Sequence, residues 1–186
     1  MRCFISVDLP SELEGRIKNI QDRLKESQAD INYVDPEKVH ITLKFLGDNV
    51  RENQVSEIER RLNRAVSSFS SFSASIEKVG VFPNLDFIKV IWLGVERGEE
   101  KFKDLFREIE EEMTKFGFEE AEHEFTPHAT IGRVNSGRNK DQLIRVLNNI
   151  EEKYVGEIEV NRIRLKKSEL KPDGPEYSTL SEVKLS

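Results

Sequence analysis

The feature that most constrains this chain is a four-residue segment that occurs twice, each time within an alternating run of residues. Residues 40–43 and residues 128–131 both follow the order histidine, apolar, threonine, apolar. Alternation with a period of two is typical of a half-buried strand, on which residues i and i+2 share one face. The chain has three histidines and five threonines in 186 residues, so chance explains this repeat poorly. We therefore expect two strands that each present an imidazole and a hydroxyl on one surface.

Periodicity along the rest of the chain predicts alternating helices and strands. Ser11 is predicted as the N-cap of the first helix, with Glu14 as its capping-box partner. Apolar spacings of three and four predict helices near residues 11–27, 55–66, 102–116 and 143–150. Alternating runs predict strands near residues 2–7, 38–46, 72–76, 90–95, 125–133, 157–165 and 177–185, with a turn at 171–175 that connects the last two.

The order strand, helix, strand, helix occurs in both halves, which indicates an α+β fold built by duplication. We expect two largely antiparallel sheets with helices packed on their outer faces. The length suits one domain or two small lobes, and no Pro-, Gly- or Ser-rich linker separates the halves. We therefore expect a single folding unit over residues 1–186.

Composition narrows the function classes. The formal net charge of −6 argues against a protein that coats duplex nucleic acid, although a local positive pocket that grips one phosphate remains compatible with it. We find no apolar run of membrane-spanning length and no signal peptide. The single cysteine, Cys3, cannot form an internal disulfide. These features predict a cytoplasmic protein that does not associate with membranes.

Two imidazoles on one surface suit the cleavage of a phosphodiester. One oxygen attacks phosphorus while another leaves on the opposite side, so the reaction needs one base and one acid. The unperturbed pKa of histidine is about 6.5, so His40 and His128 can take these two protonation states near neutrality. The hydroxyls of Thr42 and Thr130 can donate hydrogen bonds to the non-bridging phosphate oxygens. His123 lacks a following threonine and is predicted to be a surface residue.

Several segments together resemble the two-histidine phosphoesterases, and among them the RNA 2',3'-cyclic phosphodiesterases, also called 2'-5' RNA ligase or LigT-like proteins. The segments that carry the resemblance are residues 4–10, 39–48, 80–84, 90–95, 125–133 and 174–177. This resemblance implies a bilobal fold in which each lobe brings one tetrad to a central cleft. It also implies hydrolysis of a cyclic phosphate to a 2'-phosphomonoester without a metal or a cofactor.

The resemblance assigns roles to residues and suggests a substrate. It implies that His40 donates a proton to the leaving 3'-oxygen and that His128 is the base that accepts a proton from water. The implied partners are RNA ends with a 2',3'-cyclic phosphate, tRNA fragments among them, and the implied assembly is a monomer. The chain departs from the family at residues 85–89, where relatives usually carry prolines and arginines, so its contact with RNA there is expected to differ.

Each of three basic features of the sequence has two interpretations. Simple alternation places Arg133 on the face opposite to His128, and it becomes a phosphate ligand only if Gly132 introduces a bulge. Lys44 shares the predicted face of His40, where it either meets phosphate or is solvated. The basic residues between Arg162 and Lys171 are either an RNA-facing edge or a protected sheet edge.

Other functions compatible with the tetrads are the reverse reaction, which joins RNA ends through a 2'-5' linkage, and a module that binds RNA ends or nucleotides without turnover. A metal site built on the two histidines is disfavoured because no Cys or carboxylate accompanies the tetrads at ligand spacing.

Overall fold

Nine strands form one curled antiparallel sheet in the computed structural model, which describes all of residues 1–186. The strands are β1 Arg2–Asp8, β2 Ile31–Tyr33, β3 His40–Gly47, β4 Phe72–Asn84, β5 Phe87–Val95, β6 His128–Val134, β7 Gly156–Val160, β8 Arg162–Lys171 and β9 Gly174–Lys184. Their order is β7-β4-β5-β6-β3-β1-β8-β9, and β2 pairs with β6.

The four helices are α1 Glu14–Lys25, α2 Val55–Val66, α3 Glu99–Phe116 and α4 Lys140–Asn148. Their apolar stripes join one cluster of 39 buried residues, which also contains Ile41 and Ala129 from the tetrads. The α+β class and the antiparallel strands predicted from the sequence are thus confirmed. No helix of the structure has the length and apolarity needed to cross a membrane.

The two sheets expected from the sequence are two halves of one hydrogen-bonded sheet. β1, β3, β8 and β9 form one half, and β4 to β7 form the other. The halves join where β3 meets β6, and the only registered pair there is Ile41 with Ala129. This single pair brings the two tetrads together.

Two local predictions were wrong. Ser11 is not a helix cap: residues 11–13 form one turn of 3-10 helix, closed by a 3.1 Å bond from the Leu13 N–H to the Pro10 carbonyl, and α1 begins at Glu14. The strand predicted over residues 157–165 is two strands separated at Asn161, because β7 pairs with β4 in one half while β8 pairs with β1 in the other.

Candidate active site

The register at the junction of the halves places the two tetrads side by side. Because β3 and β6 are antiparallel and Ile41 lies opposite Ala129, His40 is in register with Thr130, and Thr42 is in register with His128. These four polar side chains are half-buried, whereas Ile41 and Ala129 are completely buried. The four polar side chains therefore share the sheet face away from the apolar core, which we call the active-site face.

Both imidazoles are held by the same kind of hydrogen bond. The Nδ1 atom of His40 lies 2.8 Å from the carbonyl oxygen of Lys38, and Nδ1 of His128 lies 2.6 Å from that of Thr126. A carbonyl can only accept, so each Nδ1 carries the proton and donates it. In a neutral ring the Nε2 atom is therefore the unprotonated nitrogen, ready to accept a proton.

The two Nε2 atoms differ in their partners. Nε2 of His40 lies 3.1 Å from Oγ1 of Thr42, which donates its hydroxyl proton when the ring is neutral. Nε2 of His128 forms no hydrogen bond within the protein, and neither does the hydroxyl of Thr130. The His128 nitrogen is therefore the one that is open to an incoming water molecule.

Aromatic rings surround His40. Phe4 stacks on the imidazole with ring centroids 4.9 Å apart, and Tyr177 meets it edge-on at 5.3 Å. Burial among these rings lowers the pKa of His40, and the nearby charge of Lys166 lowers it further. The Lys38 carbonyl and the carboxylate of Asp8 act in the opposite direction but do not restore the ordinary pKa.

His128 has its own pair of aromatic neighbours. Phe82 meets the imidazole edge-on at 5.0 Å, and the Trp92 ring lies 5.9 Å away. Burial again lowers the pKa of the imidazole, while the hydrogen bond to the Thr126 carbonyl opposes this shift. The contacts of both histidines with aromatic rings were missed from the sequence, because they depend on strand pairing between distant segments.

Arg133 lies on the active-site face because β6 contains a bulge. Gly132 pairs with Ile91, but Thr130 pairs with Trp92, so Ile131 is an extra residue on β6. Ile131 and Gly132 are both buried, and Arg133 emerges exposed on the side of His128. The position of Arg133 was expected to depend on a bulge at Gly132, and this bulge is present.

The charge of Arg133 reaches both histidines. It adds to burial in lowering the pKa of His128 and of His40. It also opposes the effect of burial, which raises the pKa of Tyr177 in the other half of the sheet. One exposed guanidinium thus acts across the junction of the halves.

A matching bulge in β3 overturns the prediction for Lys44. Thr42 pairs with Ser6 and Lys44 pairs with Ile5, so Leu43 is the extra residue. Lys44 consequently turns toward the core, where its Nζ lies 2.8 Å from Glu110 Oε2 and 2.8 Å from the Glu119 carbonyl oxygen. It does not share the face of His40, and strict alternation was wrong beyond Leu43.

The other basic residues near the tetrads are paired. Arg164 and Lys166 both bind the carboxylate of Asp8. Arg162 and Arg164 also contact Glu182 at 3.0 and 2.9 Å. This part of the basic run therefore neutralises carboxylates on neighbouring strands.

His123 is exposed and lies outside the active-site face. The structure contains no group of three or more His, Cys, Asp or Glu side chains arranged to hold a metal ion.

Comparisons with known proteins agree with this fold. The family model of the 2'-5' RNA ligase superfamily matches residues 9–171. A protein of Methanothermobacter thermautotrophicus named RNA 2',3'-cyclic phosphodiesterase is 40% identical over 100% of this chain and 99% of its own length. A protein of the same name from Methanocaldococcus jannaschii is 36% identical over 98% of this chain and 99% of its own. A crystal structure of a Thermus thermophilus protein aligns with a TM-score of 0.81 at 25% identity, covering 100% of this chain and 98% of that one.

The chain belongs to the 2'-5' RNA ligase superfamily, as the resemblance in the sequence predicted.

Proposed function

We propose that this protein hydrolyses 2',3'-cyclic phosphates at RNA ends to 2'-phosphomonoesters, with His40 and His128 as acid and base and without a metal or a cofactor. The observation that carries the proposal is the common tautomer of the two histidines on adjacent strands. Each ring donates Nδ1–H to a backbone carbonyl and leaves Nε2 for proton transfer. Two full-length relatives that bear the name RNA 2',3'-cyclic phosphodiesterase support this choice of substrate.

In the proposed reaction His128 is the base. Its Nε2 atom takes a proton from a water molecule while the water oxygen bonds to phosphorus. The absence of a competing hydrogen bond on this nitrogen suits the role. Because burial keeps the pKa of His128 below its usual value, the ring is neutral and able to accept a proton at neutral pH.

His40 is the proposed acid. Its protonated Nε2 donates to the 3'-oxygen as the bond between phosphorus and that oxygen breaks, which leaves a free 3'-hydroxyl and a phosphate on the 2'-oxygen. A bound phosphate would favour the protonated form of both imidazoles, but the carboxylate of Asp8 favours it at His40 and not at His128, so we propose that His40 carries the proton in the complex although burial disfavours this in the free protein. Exchange of protons with solvent restores both rings after each turnover.

Thr42, Thr130 and Arg133 are proposed to bind the phosphate. Each tetrad threonine shares the active-site face with the histidines, and Arg133 acts electrostatically on both rings. Their donors would stabilise the charge that develops on the non-bridging oxygens, an effect worth about 2.7–4 kcal/mol for one well-placed donor.

Formation of a 2'-5' linkage belongs to the same proposal because the matching family model is named for a 2'-5' RNA ligase. With the 5'-hydroxyl of a second RNA in place of water, the same two proton transfers would bond that oxygen to the phosphorus of the cyclic phosphate while the 3'-oxygen leaves, which gives a 2'-5' linkage and a free 3'-hydroxyl. Ligation would need both RNA ends held together against competing water, so we propose it as a minor activity. We also propose a cytoplasmic monomer, folded as a single two-lobed domain over residues 1–186, that acts on RNA ends such as those of tRNA fragments.

Incubation of a short RNA bearing a 2',3'-cyclic phosphate with the protein in EDTA tests the reaction. We expect turnover to a product with its phosphate on the 2'-oxygen, identified by its resistance to a nuclease that requires a free 2'-hydroxyl. Binding without turnover would favour the RNA-end-binding module instead. Turnover that EDTA abolishes and added metal restores would overturn the metal-independent mechanism.

A further inference from the structure

A cavity with a basic rim shares Arg133 with the active-site face. It has a volume of about 420 Å³ and lies among the turn between β4 and β5, the end of β6 and the start of α4. Buried Ile88 and Leu143 contribute to its lining, so its base is apolar while its rim is charged. We call it the β5–α4 pocket.

The rim of the β5–α4 pocket carries an excess of positive charge. Its basic side chains are Lys89, Arg133, Arg138 and Lys140, and none of these four forms an ion pair with a carboxylate. Asp86 is the one acidic residue of the lining, and Lys140 hydrogen-bonds to the backbone carbonyl of Asp86. Most of the other basic side chains form an ion pair, in a chain whose net charge is −6, so four neighbouring cations without one stand out. The site therefore suits a polyanion.

An exposed aromatic ring stands among these cations. Phe87 is 60% exposed although it is large and apolar, and Lys89 Nζ lies 5.2 Å from its ring centroid. A ring open to solvent beside unpaired cations is the combination that binds single-stranded nucleic acid, in which bases stack on the ring and phosphates meet the charges. A free phosphate ion would not need the ring.

Arg133 connects the β5–α4 pocket to the active-site face. It lines the pocket, and its charge also lowers the pKa of His40 and of His128. It pairs with Val90 on β5, one residue from Lys89. A strand whose terminal phosphate lies at the histidines would therefore pass Arg133 before reaching Phe87.

We propose that the β5–α4 pocket binds the single-stranded RNA segment upstream of the cyclic-phosphate end, with one base stacked on Phe87 and phosphates bound by Lys89 and Arg138. The proposal rests on the proposed function and deepens it, because it makes the enzyme selective for oligonucleotides over cyclic mononucleotides.

The test compares substrates of increasing length. The KM is measured for a 2',3'-cyclic mononucleotide and for dinucleotide to hexanucleotide RNAs with the same end. We expect the KM to fall at least tenfold once the RNA is long enough to reach Phe87, with little change in kcat. A KM that does not depend on length would overturn the proposal.

Two variants test whether the dependence of the KM on RNA length arises in the β5–α4 pocket. Phe87→Ala and the double variant Lys89→Gln/Arg138→Gln are each expected to raise the KM for the hexanucleotide about tenfold and to change the KM for the mononucleotide less than twofold. The matched control is Lys101→Gln/Lys153→Gln, which removes the same charge from exposed residues outside the pocket. Equal effects in the control and the pocket variant would show a long-range charge effect and overturn the assignment.

Direct binding separates failure of this proposal from failure of the proposed reaction. Fluorescence anisotropy with a labelled hexanucleotide ending in a 2'-phosphate needs no turnover. We expect weaker binding by both pocket variants, with a lower salt dependence of binding in the double variant because two phosphate contacts are lost. If the pocket variants bind with the affinity and salt dependence of the wild type, the proposed role of the pocket is refuted even if hydrolysis is intact. If the variants bind more weakly but the wild-type protein does not hydrolyse the cyclic phosphate, only the proposed reaction is refuted.

Discussion

Ile41 pairs with Ala129 across β3 and β6, and this pair joins the two halves of the sheet. Both residues are completely buried, so each anchors its strand in the core while the neighbouring histidines project from the opposite face. In antiparallel register this arrangement puts each histidine beside the threonine of the other tetrad. The geometry of the proposed proton transfers thus depends on one point of contact between the halves.

Removal of the Arg133 charge should affect both histidines at once. Burial is the main reason why their pKa values are low, and Arg133 adds to it in both cases. In Arg133→Gln we therefore expect the pKa of both rings to rise toward, but remain below, the usual value of about 6.5. NMR titration of the imidazole C–H signals measures this, and the profile of kcat/KM should move to higher pH. A shift in only one ring would contradict the position of Arg133 between the two.

A modified leaving group distinguishes the acid from the base. Sulfur in place of the 3'-oxygen leaves as a thiolate, and a thiol ionises near pH 8.5, so its departure requires little protonation. We expect the rate of His40→Ala to recover to within about tenfold of wild type on this substrate, because an acid supplies on the order of 100-fold or more on the natural one. His128→Ala should remain impaired on both substrates. Recovery of the His128 variant instead would reverse the two roles.

The buried ion pair of Lys44 with Glu110 should be important for stability. The two side chains are 4% and 13% exposed, so removal of the lysine leaves a carboxylate poorly solvated. We expect Lys44→Met to lower the free energy of unfolding by about 3 kcal/mol. The control is Lys18→Met, which breaks an exposed pair with Asp22 and should cost far less. Urea denaturation measures both, and similar losses in the two variants would refute the role of burial.

Gly80 determines where the ring of Trp92 lies. A Cβ atom at Gly80 would come within 2.3 Å of the Trp92 ring, which in turn contacts His128. We expect Gly80→Ala to displace the ring, destabilise the protein by about 1–3 kcal/mol and lower kcat. Trp92 is the only tryptophan, so its fluorescence reports the displacement directly. Gly15→Ala is the control, because nothing lies within 4 Å of the added atom. An unchanged emission spectrum in Gly80→Ala would contradict the packing.

Local patterns in the sequence predicted much of this molecule. The period of two placed the tetrad histidines and threonines on one face, and the period near 3.6 located all four helices. These signals succeed because they depend on neighbours within a few residues. The repeat alone also led to the prediction that His40 and His128 act as a pair.

Features that depend on contacts between distant segments were not predictable in this way. The bulge at Leu43 arises from pairing with β1, and it reverses the faces of Lys44 and Phe45. Lys44 then meets Glu110, which is 66 residues away. The bulge before Arg133 was recognised as a possibility, but only the register with β5 establishes it. Strand pairing is therefore the information that the sequence patterns lacked.

The central claim is that His40 and His128 perform the chemistry together. The most direct test is single-turnover hydrolysis of an RNA ending in a 2',3'-cyclic phosphate by His40→Ala, His128→Ala and the control His123→Ala, with folding checked by circular dichroism. We expect the first two variants to lose on the order of 100-fold to 10,000-fold in rate and the control to match the wild type. Folded His40 and His128 variants that retain the wild-type rate, or a His123 variant that loses it, would contradict the account.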